Sequence, residues 1–345
     1  MTRQKPSTAD LQSALRLWRG KRIVILGDMI LDEFIFGRSE RVSREAPVVI
    51  VRYDGSTYAP GGAANAAQNV AALGGIAVPI GIVGADGASD RLAELLRDRG
   101  ISVRGLLTAP GRLTTAKIRV MAGDYHAQQQ QIVRIDKERH QQLPTAVERK
   151  ILRVFKKELG GADAAILSDY HQDLFGEGFI RRAIDLCRKA RVPAIADSRF
   201  RLSLFRGVNS ATPNEVEASH AAGTVLTDEL SLEKVGRRLL KRLAASSVLI
   251  TRGRFGMSLF ERRRRTCSVG VLGSSEATDV TGAGDTVVSA VALTLASGGN
   301  MRTAMLLSNA AAARVVMKRG TAVTSVAEIE ELLGDTGWYG RSVGM

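Results

Sequence analysis

RIVILGD, residues 22–28, is a run of apolar and β-branched residues that stops at a glycine and an aspartate. A stretch that short, apolar on almost every side chain, reads as a strand buried on both faces. The residues after it decide the architecture. GGAANAAQNVAAL (61–73) has the small side chains of a closely packed helix, and AVPIGIVG (77–84) returns to strand. Asp90–Arg99 is amphipathic helix, AAILSD (164–169) strand, the segment to about Ala190 helix, and PAIAD (193–197) strand. Helices are expected from Asn214 and over Ser231–Ala244, with VLITRG (248–253) as the strand after them. The last third reads as helices from about Gly282, over Arg302–Lys318, and from Ser325, where Ser325 and Glu328 have capping-box spacing. Such alternation predicts an α/β fold: a mostly parallel sheet with helices on both faces.

Two stretches break the rhythm. Phe34–Tyr58 holds strand-like pieces, PVVIVRY the clearest, and Leu113–Asp136 holds TAKIRVM and QQIVRID around the hairpin signal Gly123-Asp124. They predict a small β lid formed by about 34–58 and 101–136. The lid is expected to be inserted into an α/β core, with 1–345 acting as one unit. A chain of 345 residues fits two domains or one large domain with an insertion.

Composition narrows the function classes. Hydrophobic residues make 45% and charged residues 24% of the chain, as in soluble globular proteins. The apolar run Val287–Ala296 is too short to span a bilayer, and the basic N-terminus lacks the apolar core of a secretory signal. Cys187 and Cys267 cannot build a disulfide framework, and no Cys/His group has zinc spacing. A cytoplasmic protein with no membrane partner is expected. Forty-nine basic against 35 acidic residues leave a net charge of +14. Nucleic acid, an acidic surface or an anionic small substrate would each suit that charge. Aromatics at 5% supply little for base stacking, and Arg262–Arg265 reads as a solvated turn or edge strand. Arg237, Arg238, Lys241 and Arg242 read as the outer face of a helix. No nucleic-acid partner is expected. The histidines (His126, His140, His171, His220) are scattered and carry no assigned chemistry.

Asp279-Val-Thr-Gly-Ala-Gly-Asp-Thr286 opens an apolar helix. At Gly282-Ala283-Gly284 no large side chain obstructs an anion approaching the backbone N–H groups, and the helix dipole favours it. Asp285 in the first turn is placed to take a proton from a hydroxyl beside that anion, as phosphoryl transfer requires. The bland alternative is a glycine-rich turn with an acid at a helix start. The Gly-Lys-Ser/Thr ending of a Walker A loop is absent.

This segment resembles the D-T-x-G-A-G-D signature of the ribokinase-like (PfkB) carbohydrate kinases, with Val280 where that family often has threonine. Pro60-Gly61-Gly62-Ala63-Ala64-Asn65 is similar to the family's Gly-Gly sugar-binding element. Thr212-Pro213-Asn214-Glu215-Val216-Glu217 resembles its N-x-x-E motif, and Gly27-Asp28 with Asp32 its first-strand element. The motifs fall in family order over 20–335. GDMILDEFIFG, RVSREAPVVIV, PGGAANAAQNVAALG and QQQQIVRID are similar to the heptose-7-phosphate kinases of lipopolysaccharide core synthesis, with Arg44 where that subgroup usually has proline. The chain stops about ten residues past its last helix, so it resembles the stand-alone kinase rather than relatives carrying a nucleotidyltransferase.

The resemblance implies a ribokinase-like fold and phosphorylation of the anomeric hydroxyl of D-glycero-D-manno-heptose 7-phosphate by ATP. Asp285 would be the catalytic base and Gly282, Ala283 and Gly284 the anion hole. Asp28, Asp32, Gly61, Gly62 and Asn65 would orient the sugar. Asn214 and Glu217, at i and i+3 on one helix face, are the expected contacts to hydrated Mg²⁺, against a plain helix start with a surface glutamate. Thr251, Gly253, Gly256 and Asn309 are the further ATP contacts. A phosphorylated sugar needs cations at its far end. Lys117, Arg119 and Arg134 in the lid strands are the candidates, with Arg44 and Arg52 earlier. Alternation puts Lys117 and Arg119 on one strand face with Ile118 opposite. A homodimer through the lid is expected by analogy. Other readings are a kinase of ribose, fructose or a hexose phosphate, or a nucleic-acid-binding protein.

Overall fold

A computed structural model of the chain describes residues 6–123, 130–138, 143–172, 174–272 and 278–334. Asp124 of the hairpin signal, His126 and His140 lie outside the described residues. The first part runs α1 (Thr8–Arg16), β1 (Arg22–Gly27), β2 (Met29–Val42), β3 (Val49–Gly62), α2 (Ala63–Ala72), β4 (Ile76–Val83) and α3 (Gly87–Arg97). Next come β5 (Leu106–Thr108), β6 (Thr115–Gly123), β7 (Gln130–Lys137), α4 (Thr145–Leu159), β8 (Ala164–Asp169), α5 (Glu177–Ala190) and β9 (Ala194–Ser198). The rest is β10 (Ser210–Ala211), α6 (Glu215–Ala222), α7 (Glu229–Leu243), β11 (Ser247–Thr251), β12 (Met257–Glu261) and β13 (Cys267–Val269), then α8 (Ala283–Ala296), α9 (Met301–Val315) and α10 (Val326–Gly334).

The large sheet has the order β13-β12-β11-β10-β9-β8-β1-β4-β5. It is parallel from β11 to β5, and β12 and β13 close one edge in antiparallel fashion. Period-two alternation along β1 feeds two cores. Ile23 and Ile25 pack with Leu11, Leu92, Val288, Leu307 and Ile329, while Val24 and Leu26 pack with Ile151, Phe179, Ala218 and Leu239. Helices therefore cover both faces, the first set from α1–α3 and α8–α10, the second from α4–α7. This is the α/β architecture, a mostly parallel sheet with helices on both faces, that the alternation predicts. Among the described residues no helix is long and apolar enough to cross a membrane.

The small sheet has the order β3-β2-β6-β7, with β2 and β6 parallel and the outer pairs antiparallel. It begins nearer the core than the sequence suggested, because Asp28 alone separates β1 from β2. Gly61 and Gly62 are the last residues of β3, paired with Ile30 and Met29, so α2 starts at Ala63 rather than Gly61. Leu106–Thr108, inside the stretch expected to form the lid, instead pairs with β4 at the edge of the large sheet. Helix α1, which sequence reading passed over, is set by a Ser7–Asp10 capping box and buries Leu11 and Leu15. The Arg262–Arg265 run is the exposed turn region between β12 and β13.

Gly236 marks the tightest helix-to-sheet approach on α7, since a Cβ there would lie inside van der Waals contact of the buried Phe260 ring. Gly236→Ala gains about 1 kcal/mol of helix propensity but overpacks that contact by roughly 1–3 kcal/mol. A net loss of stability in urea denaturation is the expected outcome, and a gain would contradict this packing.

Candidate active site

Helix α8 begins where Gly282 takes φ +79°. A Cβ at that glycine would sit 2.6 Å from Asn65 Nδ2, so both conformation and space demand glycine. The opening turn of a helix leaves N–H groups without helical partners. Here Ala283 donates to the Val280 carbonyl at 3.2 Å, whereas the amides of Gly282, Gly284 and Asp285 make no hydrogen bond among the described residues. Of the amides expected to form the anion hole, that of Ala283 is thus already engaged, while those of Gly282 and Gly284, and that of Asp285 next to them, are free among the described residues. The Asp285 carboxylate is 3% exposed. Its Oδ2 accepts from Asn65 Nδ2 at 2.6 Å and its Oδ1 from the Tyr170 hydroxyl at 3.1 Å. Burial pushes this carboxyl up to about 7, against the lowering effect of those two donors.

Asp285 faces a cavity of about 260 Å³ lined also by Ile30, Asp32, Gly62, Asn65, Lys117, Arg119, Arg134, Tyr170, Arg199, Thr281, Gly282 and Thr321. Lid and large sheet thus contribute opposite walls. Asp32 and Lys117 are register partners on β2 and β6, and Ile118 is buried on the other face. Asp32 Oδ1 accepts from Arg119 Nη1 at 2.7 Å, and Arg134 pairs with Asp136. Lys117 is buried, with Nζ 5.4 Å from the Tyr170 ring centre and no ion-pair partner among the described residues. Burial, then the Arg199 charge, lowers its ammonium pKa. Arg199 follows β9 and likewise has no carboxylate partner among the described residues.

Several expected sugar contacts hold structure instead. A Cβ at Gly61 would lie 2.6 Å from Asp32 Oδ2, so this glycine leaves room for the aspartate. Asp28 does not line the cavity. Its Oδ2 accepts the amides of Tyr170 (2.8 Å) and Gln172 (3.1 Å) beneath the loop after β8. The turn between β1 and β2 re-aims its side chain, and burial followed by the Asp169 charge pushes it up to about 7. Arg44 and Arg52 lie along the outer lid and do not line the cavity.

On the far side of Asp285, Asn214 caps α6. Asn214 Oδ1 accepts the Glu217 amide, and Glu217 Oε2 accepts the Asn214 amide, each at 2.9 Å. The pair offered to Mg²⁺ is therefore also a capping box. Glu217 is shifted upward by burial. Asp197, at the end of β9, is held well above the usual carboxylate range by burial and by the charges of Glu217, Asp285 and Asp169. Its carboxylate makes no hydrogen bond among the described residues. An unpartnered acid beside Glu217 suits a hydrated divalent cation, which takes few direct protein ligands. Thr251 forms a bridge with Asn214, and Gly253 and Gly256 follow in a turn with positive φ at both. The Asn309 amide donates to the Gly270 carbonyl at 2.8 Å, so it braces the end of β13.

Tyr170, Asp197, Arg199, Thr281 and Thr321 escaped sequence reading. Tyr170, Asp197 and Arg199 stand at or just past the carboxyl ends of β8 and β9, the positions where open α/β sheets place ligands.

Residues 21–328 match the family model described as pfkB family carbohydrate kinase. The chain is 36% identical over 320 residues to the bifunctional protein HldE of Desulfatibacillum aliphaticivorans, covering 92% of this chain and 64% of that protein. It is 38% identical over 323 residues to the bifunctional protein HldE of Alkalilimnicola ehrlichii, covering 93% and 65%. The chain thus spans a little under two thirds of these relatives. Phosphofructokinase-2 from Escherichia coli, in complex with fructose-6-phosphate, superposes with TM-score 0.74 at 19% identity, covering 91% of this chain and 98% of that one. Arabidopsis thaliana ribokinase complexed with ribose and ATP gives 0.72 at 19% identity, covering 91% and 99%.

The raised carboxyl of Asp285 has a stability signature. A group whose folded pKa exceeds its unfolded value favours folding below the unfolded pKa, and that contribution is lost as pH rises through the folded value. Asp285→Asn removes the charge, so it should melt higher than wild type at pH 8, with the gap closing towards pH 4. An equal melting temperature at pH 8 would contradict the burial described.

Proposed function

We propose, for a chain that belongs to the pfkB family of carbohydrate kinases, that it phosphorylates the anomeric C1 hydroxyl of D-glycero-D-manno-heptose 7-phosphate. ATP is the donor and the 1,7-bisphosphate the product, a precursor for lipopolysaccharide core heptose. The observation that carries the reading is Asp285, buried at a glycine-opened helix start and facing a cation-lined cavity.

Asp285 takes the C1 hydroxyl proton as that oxygen attacks the γ-phosphorus, the bond to the β–γ bridging oxygen breaks and ADP leaves. The amides of Gly282, Gly284 and Asp285 stabilise the charge on the transferring phosphoryl group. Asn65 and Tyr170 fix the carboxylate so that a remaining lone pair faces the sugar. Asn214 and Glu217, with Asp197, would hold hydrated Mg²⁺, which when bound neutralises the nucleotide phosphates. Thr251, Gly253 and Gly256 flank the nucleotide, and Asn309 supports that wall.

Lys117 and Arg199 support a substrate that is itself phosphorylated. Two cations facing one cavity, neither at ion-pair distance from an acid among the described residues, repel each other, and a phosphate between them relieves that repulsion. Arg119 and Arg134 already have Asp32 and Asp136. The lid's exposed apolar residues Val49, Tyr53, Ile132, Val133 and Ile135 support a homodimer through the lid.

An ATP-consumption panel over heptose 7-phosphate, hexose phosphates and free sugars tests the substrate. Highest kcat/KM on ribose or fructose would refute the heptose reading. Asp285→Asn is expected to lower turnover at least ~10²-fold with little change in KM. Replacing Lys117 and Arg199 together by glutamine should raise KM for the sugar phosphate about tenfold or more and leave KM for ATP nearly unchanged. Unchanged sugar KM in that double variant would exclude them as the phosphate site.

A further inference from the structure

We infer that Tyr170 is a positioning residue for Asp285, held in place from below by the carboxylate of Asp28. The inference rests on reading Asp285 as the base and adds to it the device that aims it.

Three observations converge. The Tyr170 hydroxyl donates to Asp285 Oδ1 while Asn65 takes Oδ2, so each carboxylate oxygen has its own donor. A carboxylate gripped at both oxygens cannot rotate about its last bond without breaking a hydrogen bond. The loop carrying Tyr170 is strained: His171 sits at φ +64°, in the left-handed region that non-glycine residues seldom occupy. Such a conformation persists only where its surroundings hold it, and here they do. Asp28 Oδ2 accepts two amides of the loop, Arg112 Nη2 donates to the Gln172 carbonyl, and Gln172 Nε2 donates to Glu138 at 2.8 Å. Asp28 is the one residue between β1 and β2, so the strut runs from the root of the lid through the loop to the base.

The tyrosine is suited to the role. Burial and the Asp285 charge push its hydroxyl well above the usual range, so it remains a neutral donor throughout the pH range in which a carboxylate titrates. Its hydrogen bond stabilises the ionised form of Asp285. The other charged groups sharing the cavity are Asp32, Lys117, Arg119 and Arg134 from the lid, and Arg199 after β9. Asp197, at the end of β9, faces from the nucleotide side. Tyr170→Phe alters none of these and keeps the ring under Lys117, so any change in Asp285 reports the lost hydroxyl.

The test is a ¹³C-carboxyl NMR titration of Asp285 in wild type and Tyr170→Phe, beside the pH profile of kcat with ATP and heptose 7-phosphate. The Asp285 midpoint should rise by about one unit on loss of a donor to a charged group. Turnover at pH 7 should fall several-fold and recover towards pH 9. Asp28→Ala should move the midpoint the same way and add nothing to Tyr170→Phe in the double variant. A midpoint that stays put, or a loss of kcat equal at every pH, would overturn the inference. Asp285→Asn separates the two ideas. An inactive Asp285→Asn with an unmoved midpoint in Tyr170→Phe sinks the strut alone, whereas an active Asp285→Asn sinks the base.

Discussion

The hydrogen bond from Asn65 to Asp285 joins residues 220 apart in sequence and holds the opening turns of α2 and α8 against each other. It is one end of a polar seam between those helices. Gln68 and Asn69 donate to Asn65 Oδ1, Thr286 donates to Asn69 Oδ1, and Ser289 donates to the Ala66 carbonyl. In a low-dielectric interior such a seam stabilises only when every member is partnered, and then it fixes one arrangement. The glycine at 282, the run of small residues along α2 and the aim of the Asp285 carboxylate all follow from keeping that contact short. A larger residue at any of these points would part the helices and leave a charged carboxylate without its donors.

Charge is arranged around this seam by neutralisation on one side and its absence on the other. Towards the lid, Asp32 with Arg119 and Arg134 with Asp136 cancel in pairs, while Lys117 and Arg199 do not. Towards α6, Asp197 and Glu217 are acids raised by burial. Lys117 and Arg199 thus line the cavity itself, whereas Asp197 and Glu217 stand outside its lining on the α6 side.

The frame of the fold was legible in sequence because each parallel strand is a short apolar run and each helix shows its period. Strands β5 and β10, three and two residues long, have no room for a period and exist through their neighbours. Asp285 was legible because its surroundings, two glycines and a helix start, are local. Asp28 and Asp32 were not separable, since a single-residue turn reverses which way the first one points. The pairing of Arg119 with Asp32 depends on the register of β2 with β6, which a linear pattern does not specify. Arg199 and Tyr170 enter the cavity from strand ends whose positions were legible, but their aim depends on the loops that follow.

At its first crossing the lid leaves the large sheet after one residue and returns to α2 with none, so β2 and β3 have no linker there in which to swing. On that side any widening falls on the curvature of β2 and β3 themselves, 14 residues each. The two strands cross closely at Gly37, where a side chain would strike the Arg52 carbonyl, and the register slips beside it. A sheet of this kind yields like a leaf spring rather than a hinged door. Its resistance grows steadily with displacement, so admission of a larger guest is graded by curvature rather than switched.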